Sequence, residues 1–462
     1  EEGFPHESGV VPVSLPVVRS EPAASLRWRI AGIGLACGNK KGARMGFAIS
    51  RHGRSARRSV GSQVASELAA LLGEGAVVTT SVGRMLFRGD GGVVGEAAPA
   101  AVVLPGDEQT LANAVRFCHQ HGLDIVPRGG ATSVRGGAIG GSESVVIATT
   151  RLNRIGEVHR RDRMVEAEAG AMLMAIDRAA AGKGLRLGVG PRLGSPATVG
   201  GGIAKDICGS AGGAGAGMAA RVDVLRLILA DGEAVELRGG APPLGGYDLA
   251  GVVVGSEGTL GIISKATLRL EPRPEARRLI AARFKDVDAA VAAAIALDGR
   301  SAPIAAQDVV SSGFVAGTPV FADIPAGGGD DTAGALVLAE LEGYAEEVRL
   351  AGDGLSEHGA LACEDIADEE RCQLAWEAFD GAPARLARGR VAGISDVVVS
   401  PAALQETVRG LDEIAKRHGL EVLTCIRAEA GAIQSLFRAP GDAAEGAGQV
   451  HAAINEAVAL AA

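Results

Sequence analysis

Three glycine-dense segments constrain this chain more than anything else in it: PRGGATSVRGG at residues 127–137, GPRLGSPATVGGG at 190–202 and GSEGTLGI at 255–262. Glycine passes through positive φ without strain and carries no Cβ to hold a ligand away, so loops of this kind aim backbone N–H groups at a pyrophosphate. One such loop is an ordinary turn. Three of them, each beside a β-branched apolar run, imply a large phosphate-bearing cofactor.

Between the loops the pattern is mixed α+β. Residues 101–104 read as a strand, Asp107 and Glu108 open a helix through His121, and Ile125 starts a buried strand that feeds the first glycine loop. Further strands are expected at 144–148, 164–167, 222–230, 234–237, 251–254 and 266–270, with a helix at 171–182 and an amphipathic one upstream at 64–72. Pro272 and Pro274 mark a domain boundary. Beyond it, strands are expected at 279–284, 335–342, 391–399 and 421–426, and helices at 287–297, 369–386, 404–418 and from Gln449. Residues 1–61 show neither period and read as poorly ordered; no internal repeat is visible.

Composition excludes several classes. A chain of 462 residues with 47% hydrophobic content can form two or three packed domains. The net charge of -9 opposes a nucleic-acid partner, which needs clustered Lys and Arg. Six cysteines without a CxxC pair fit reduced thiols, and therefore a cytoplasmic location, better than a disulfide framework. No apolar run approaches the roughly 18 residues of a transmembrane segment, so any membrane association is expected to be peripheral and through a partner. The string nearest to G-x-G-x-x-G, Gly215 to Ala220, follows a glycine run and not a strand, and a P-loop, a His-x-x-x-His pair and a G-x-S-x-G elbow are absent.

The three loops, with VLPGDEQTLANAVRFCHQHGLDIVPRGGATS before the first and GYDLAGVVVGSEGTLGIISKATLRLEPRP around the third, resemble the FAD-binding PCMH-type domain of the vanillyl-alcohol oxidase superfamily, in particular the glycolate oxidase large subunit and D-lactate dehydrogenase group. The resemblance implies an α+β fold: a two-subdomain FAD-binding PCMH-type domain at 62–273, then a ferredoxin-like α+β cap at 274–462 that looks truncated. It implies FAD, held by Arg128, Gly129, Gly130, Ala131, Thr132 and Ser133 in the first loop. In the second it implies Pro191, Gly194, Ser195, Thr198, Gly200 and Gly201, and in the third Glu257, Gly258, Gly261, Ile262 and Ile263. The first loop has no histidine, so noncovalent FAD is expected. The second departs from the family after Gly201, continuing with Gly202 and then DICG at 206–209 where asparagines are usual.

For activity the resemblance implies hydride transfer from a small 2-hydroxy acid to FAD, with electrons passed to an acceptor subunit or a quinone. The family takes its base and cation from cap motifs resembling H-A-G-D-G-N-x-H and G-E-H-G. Here strand 421–426 leads instead into Arg427-Ala428-Glu429-Ala430-Gly431, and both histidines of the first motif are missing. Arg427 is the candidate for a substrate carboxylate and His358, in a cap loop beside Glu357, for the base. Trp376 matches the tryptophan of a W-x-x-R-K motif without its arginine, and core packing is expected of it. The competing reading is a noncatalytic or degenerate flavin-binding subunit.

Overall fold

The computed structural model describes residues 57–462 apart from 92–94, 96, 134–135, 190–195, 208–216, 240–246, 299–303, 316–333, 349–356, 381, 383–385, 387–391, 429, 441–445 and 462. The chain enters through α1 (Arg57–Leu72), which starts before the helix expected at 64–72. Strands β1 (Val77–Val78), β2 (Ala101–Val103), β3 (Ile125–Arg128) and β4 (Val145–Ala148) form a sheet in the order β1-β2-β4-β3, in which β4 runs parallel to both neighbours. After the small helix α2 (Ser81–Met85), α3 (Glu108–Gln120) supplies the crossover from β2 to β3. It begins where Asp107 accepts from the Thr110 N–H at 2.7 Å, a side-chain cap that satisfies one orphan donor of the first turn. Its apolar face, Leu111, Ala114, Val115 and Cys118, packs with Leu68 of α1 against β2 and β4.

A second, antiparallel sheet runs β5-β9-β7-β8, from β5 (Met164–Glu168), β7 (Val222–Ile228), β8 (Ala234–Arg238) and β9 (Ile262–Arg269). It is covered by α4 (Leu173–Ala181) and α5 (Val199–Lys205), whose Ile176 and Ile203 are fully buried. The short β6 (Leu185–Arg186) follows α4, and α6 (Met218–Arg221) leads directly into β7. Glu108 at the start of α3 ties the two sheets together, accepting from Arg226 of β7 and from the Ser264 hydroxyl of β9, both at 2.7–2.8 Å. Residues 251–254, expected as a strand, lie instead in or beside the helix α7 (Leu249–Val253). A short apolar run is compatible with either state, and the Asp248 carboxylate decides it by accepting from the Gly251 N–H at 2.9 Å.

Beyond the two-residue β10 (Glu271–Pro272), which pairs with β6, a seven-stranded sheet has the order β14-β11-β13-β12-β16-β17-β15. Its members are β11 (Ala276–Phe284), β12 (Ile304–Ser311), β13 (Ala335–Gly343), β14 (Ala362–Ile366), β15 (Ala392–Val398), β16 (Glu421–Arg427) and β17 (Ala432–Arg438). The helix α8 (Val287–Asp298) joins β11 to β12, and β12 runs into the single turn α9 (Ser312–Val315). The helices α10 (Glu369–Asp380), α11 (Leu404–Arg417) and α12 (Ala447–Leu460) follow β14, β15 and β17. Strand–helix–strand–strand with the third strand between the first two occurs twice, as β11-α8-β12-β13 and as β15-α11-β16-β17, and with β14 the first unit is a complete ferredoxin-like sheet. The repeat is in the topology and escapes the sequence. One face is buried under α8, α11 and α12, the other under α9 and α10. Polar residues interrupt β12 (Gln307, Asp308), β14 (Glu364, Asp365) and β17 (Gln434, Ser435), which breaks the apolar signal and explains why these strands were not expected. Among the described residues no helix is long and apolar enough to cross a membrane.

Candidate functional site

Three parts of the chain meet around a cavity of about 70 Å³. Its lining combines the end of β3 (Pro127, Arg128, Gly129), the first turn of α5 (Gly200, Gly201) with Ala204, and the turn before β9 (Ser256, Glu257, Gly258, Gly261) with Ile262 and Ile263; Thr149 completes it. The structure thus brings together nine of the sequence-derived site residues. Gly130, Ala131, Thr132, Ser133 and Thr198 are outside this lining, and Pro191, Gly194 and Ser195 fall outside the described residues. Pro127, Thr149, Ala204 and Ser256 escaped the sequence reading, because each is an ordinary residue whose role comes from its neighbours in space.

The glycines at this junction are required by space. A Cβ on Gly129 would come within 2.4 Å of the Thr198 Oγ1, and one on Gly130 within 2.1 Å of the Pro196 carbonyl. Gly258 has φ +77° against the Pro127 ring. Its neighbour Glu257 also adopts positive φ, +53°, held by its N–H donating to the Ala204 carbonyl at 2.8 Å and by its carboxylate against Lys205 Nζ at 3.1 Å.

The end of the second glycine segment, from Val199, is a helix where a loop was expected. Thr198 caps α5, accepting from the Gly201 N–H at 3.4 Å, and the Gly200 N–H donates to the Ala169 carbonyl at 2.8 Å. The first turn of α5 therefore faces the cavity with the positive end of a backbone dipole, next to loops made of glycine, a combination suited to an anionic group. Arg128 does not point its charge there. Its guanidinium donates to the carbonyls of Ala138 (3.1 Å) and Phe87 (3.4 Å) and sits 5.4 Å above the Phe87 ring, and burial lowers its proton affinity. Its charge is therefore engaged by these groups and the Phe87 ring.

The two catalytic candidates are apart. Arg427 ends β16, with Nε 3.7 Å from Oδ1 of the fully buried Asp308 of β12. His358 precedes β14, which is the edge strand four positions from β16, so the two strands are about 19 Å apart at 4.8 Å per step. His358 is half-buried and its Nε2 has no hydrogen-bond partner among the described residues. Trp376 is in the core, as expected, with its indole N–H on Glu340.

A charged chain crosses from the seven-stranded sheet to the cofactor side. Arg277 of β11 pairs with Glu340 and, at 3.6 Å, with Glu342 of β13; Arg186 of β6 joins Glu342 to Glu271 of β10 (2.8 Å). Arg221 contacts Glu271 at 2.7 Å and donates to the Gly188 carbonyl at 3.0 Å, just before the second glycine segment.

Comparison with known proteins agrees with this geometry. Residues 99–238 match the family model "FAD binding domain" and residues 273–462 match "FAD linked oxidases, C-terminal domain". The chain is 26% identical to glycolate oxidase subunit GlcD of Bacillus subtilis over 75% of this chain and 74% of that one. It is 28% identical to a D-lactate dehydrogenase of Archaeoglobus fulgidus over 70% and 72%. Its fold superposes on p-cresol methylhydroxylase with a TM-score of 0.67 at 16% identity, covering 88% of each chain.

Proposed function

The chain belongs to the FAD-binding PCMH-type flavoproteins of the vanillyl-alcohol oxidase superfamily, and from that premise we propose that this FAD-dependent oxidoreductase oxidises a small 2-hydroxy acid to the 2-oxo acid. The observation that carries the cofactor half is the convergence of the β3 loop, the capped α5 and the turn before β9 on one cavity lined by closely packed glycines. The substrate half rests on the two relatives named for glycolate and D-lactate, each similar over more than two thirds of both chains.

The residues present fit the cofactor. The N–H groups of Gly200, Gly201 and Glu257 are committed to Ala169, Thr198 and Ala204, so the backbone at Gly129 and Gly258 is what remains to receive the pyrophosphate. When bound, FAD would supply the acceptor for the hydride from C2 of the hydroxy acid, whose hydroxyl proton would leave to a base. Arg427 supplies the cation that orients the substrate carboxylate. The two electrons pass on to an acceptor subunit or a quinone.

A noncatalytic flavin-binding subunit is the second reading, favoured by one observation: β14, which follows His358, and β16, which carries Arg427, are four strand positions apart. The purified protein decides the matter. Bands at about 370 and about 450 nm report oxidised flavin. Anaerobic bleaching of the longer band by glycolate or D-lactate supports the dehydrogenase; retained flavin that no 2-hydroxy acid bleaches supports the second reading, and absence of flavin removes both.

A further inference from the structure

Asp308 is a charged side chain with no solvent exposure on the face of β12 that also carries Ala306 and Val310, both part of the core under α10. A carboxylate in such a place is costly unless a cation and hydrogen-bond donors compensate it. Two groups from β16 do so. The Cys425 thiol faces Oδ1 at 3.6 Å and the Arg427 Nε faces the same oxygen at 3.7 Å, the pairing of Val309 with Ile426 having set Asp308 opposite Arg427 on one face of the sheet.

Arg427 keeps 28% of its side-chain exposure, so the ion pair joins a buried anion to a side chain that solvent still reaches. The contact uses Nε. The edge formed by the two terminal nitrogens is the one that a guanidinium offers to a carboxylate as two parallel N–H donors, and its orientation is fixed when the Nε side is anchored. We infer that Asp308 is a positioning residue: it holds Arg427 so that the terminal nitrogens form a preset bidentate site for the carboxylate of the small hydroxy acid. The ligand's identity rests on the 2-hydroxy-acid reading; the positioning does not.

Oxalate, a dicarboxylate with no C–H bond to give up as hydride, is the probe, its binding read from the perturbation of the flavin spectrum of the holoprotein. Asp308→Asn keeps the shape and removes the anchor, and it is expected to retain FAD while weakening oxalate about tenfold or more; Arg427→Gln weakens it about ten- to hundredfold. With substrate, Asp308→Asn raises the half-saturating concentration by a similar factor and leaves the limiting rate of flavin reduction near wild type, a split that a loss of fold does not produce. The double variant Asp308→Asn/Arg427→Gln replaces the ion pair by a neutral pair and binds oxalate no more weakly than Arg427→Gln alone. Unchanged oxalate affinity in Asp308→Asn, a further loss in the double variant, or a wild type that ignores oxalate overturns the inference. Failure of every 2-hydroxy acid to bleach the flavin, with oxalate binding lost in Asp308→Asn, refutes the substrate reading alone.

Discussion

The indole N–H of Trp376 donates to Glu340 Oε2 at 2.7 Å, although Glu340 is also the buried partner of Arg277. The pair is unequal, since Glu340 has no exposure and Arg277 keeps 30% with Glu342 as a second anion nearby. Arg277→Ala strands a buried carboxylate and is expected to cost about 3–5 kcal/mol, whereas Glu340→Ala leaves a cation that still has Glu342 and costs about 1–3 kcal/mol. Urea unfolding of the two variants checks the order.

The same pair gives a pH dependence. Burial holds the Glu340 carboxyl above the ordinary carboxylate range, against the pull of Arg277; for Arg277 burial opposes the charge and Glu340 outweighs it. The carboxyl is the group at stake, being the more deeply buried. A raised carboxyl makes the native state bind its proton more tightly than the unfolded chain does. Its stabilisation is therefore full below the ordinary glutamate value of about 4.3 and declines as pH rises through the native value. Arg277→Ala steepens this decline and extends it to higher pH. Unfolding free energies from pH 4 to 8 that run parallel in wild type and variant contradict it.

Asp107 shows the opposite sign. The Thr110 N–H, donating to its carboxylate, lowers its pKa, so the cap is fully formed above the ordinary aspartate value of about 3.9 and is lost as pH falls through the depressed one. Asp107→Ala is expected to cost about 1 kcal/mol at neutral pH. Denaturation at neutral pH and at acid pH checks that the difference shrinks on acidification.

At the cofactor cavity, Gly129→Asp and Gly258→Asp are expected to abolish flavin retention in a protein that remains soluble. Each adds a carboxylate where a phosphate is proposed, and each meets the spatial limit described above: Thr198 at 2.4 Å for the first, Pro127 at 3.1 Å and positive φ for the second. Flavin absorbance per protein measures it, and full occupancy in both variants would remove these loops from the site.

Much of the cofactor side was legible because its signals are local. Asp107 before Glu108 announces a helix start, and Gly258 and Gly261 announce positive φ before a strand, each without reference to the rest of the chain. The glycines at 200–202 misled, since glycine lowers helix propensity, yet the Thr198 cap and the burial of Val199 and Ile203 override it. Gly251 misled in the other direction through its apolar neighbours. In the cap, Asp308 drew no notice: nothing in SAPIAAQDVV marks its aspartate as buried, and Arg427 becomes its partner only when strands distant in sequence are laid side by side.

Strands β12 and β16 meet through two residue pairs, Val309 with Ile426 and Val310 with Cys425, whereas β11 and β13 share nine from Ala276 to Phe284. That short seam separates two units of like topology, each of which closes its own ladder before touching the other. Cutting the peptide backbone between Ile366 and Ala392 would leave an amino-terminal piece ending after β14 and a carboxyl-terminal piece with β15, β16 and β17 complete. The two pieces are then suited to reassociation, which makes the cap a natural place to split the polypeptide into complementing fragments whose reunion rebuilds the Asp308–Arg427 contact.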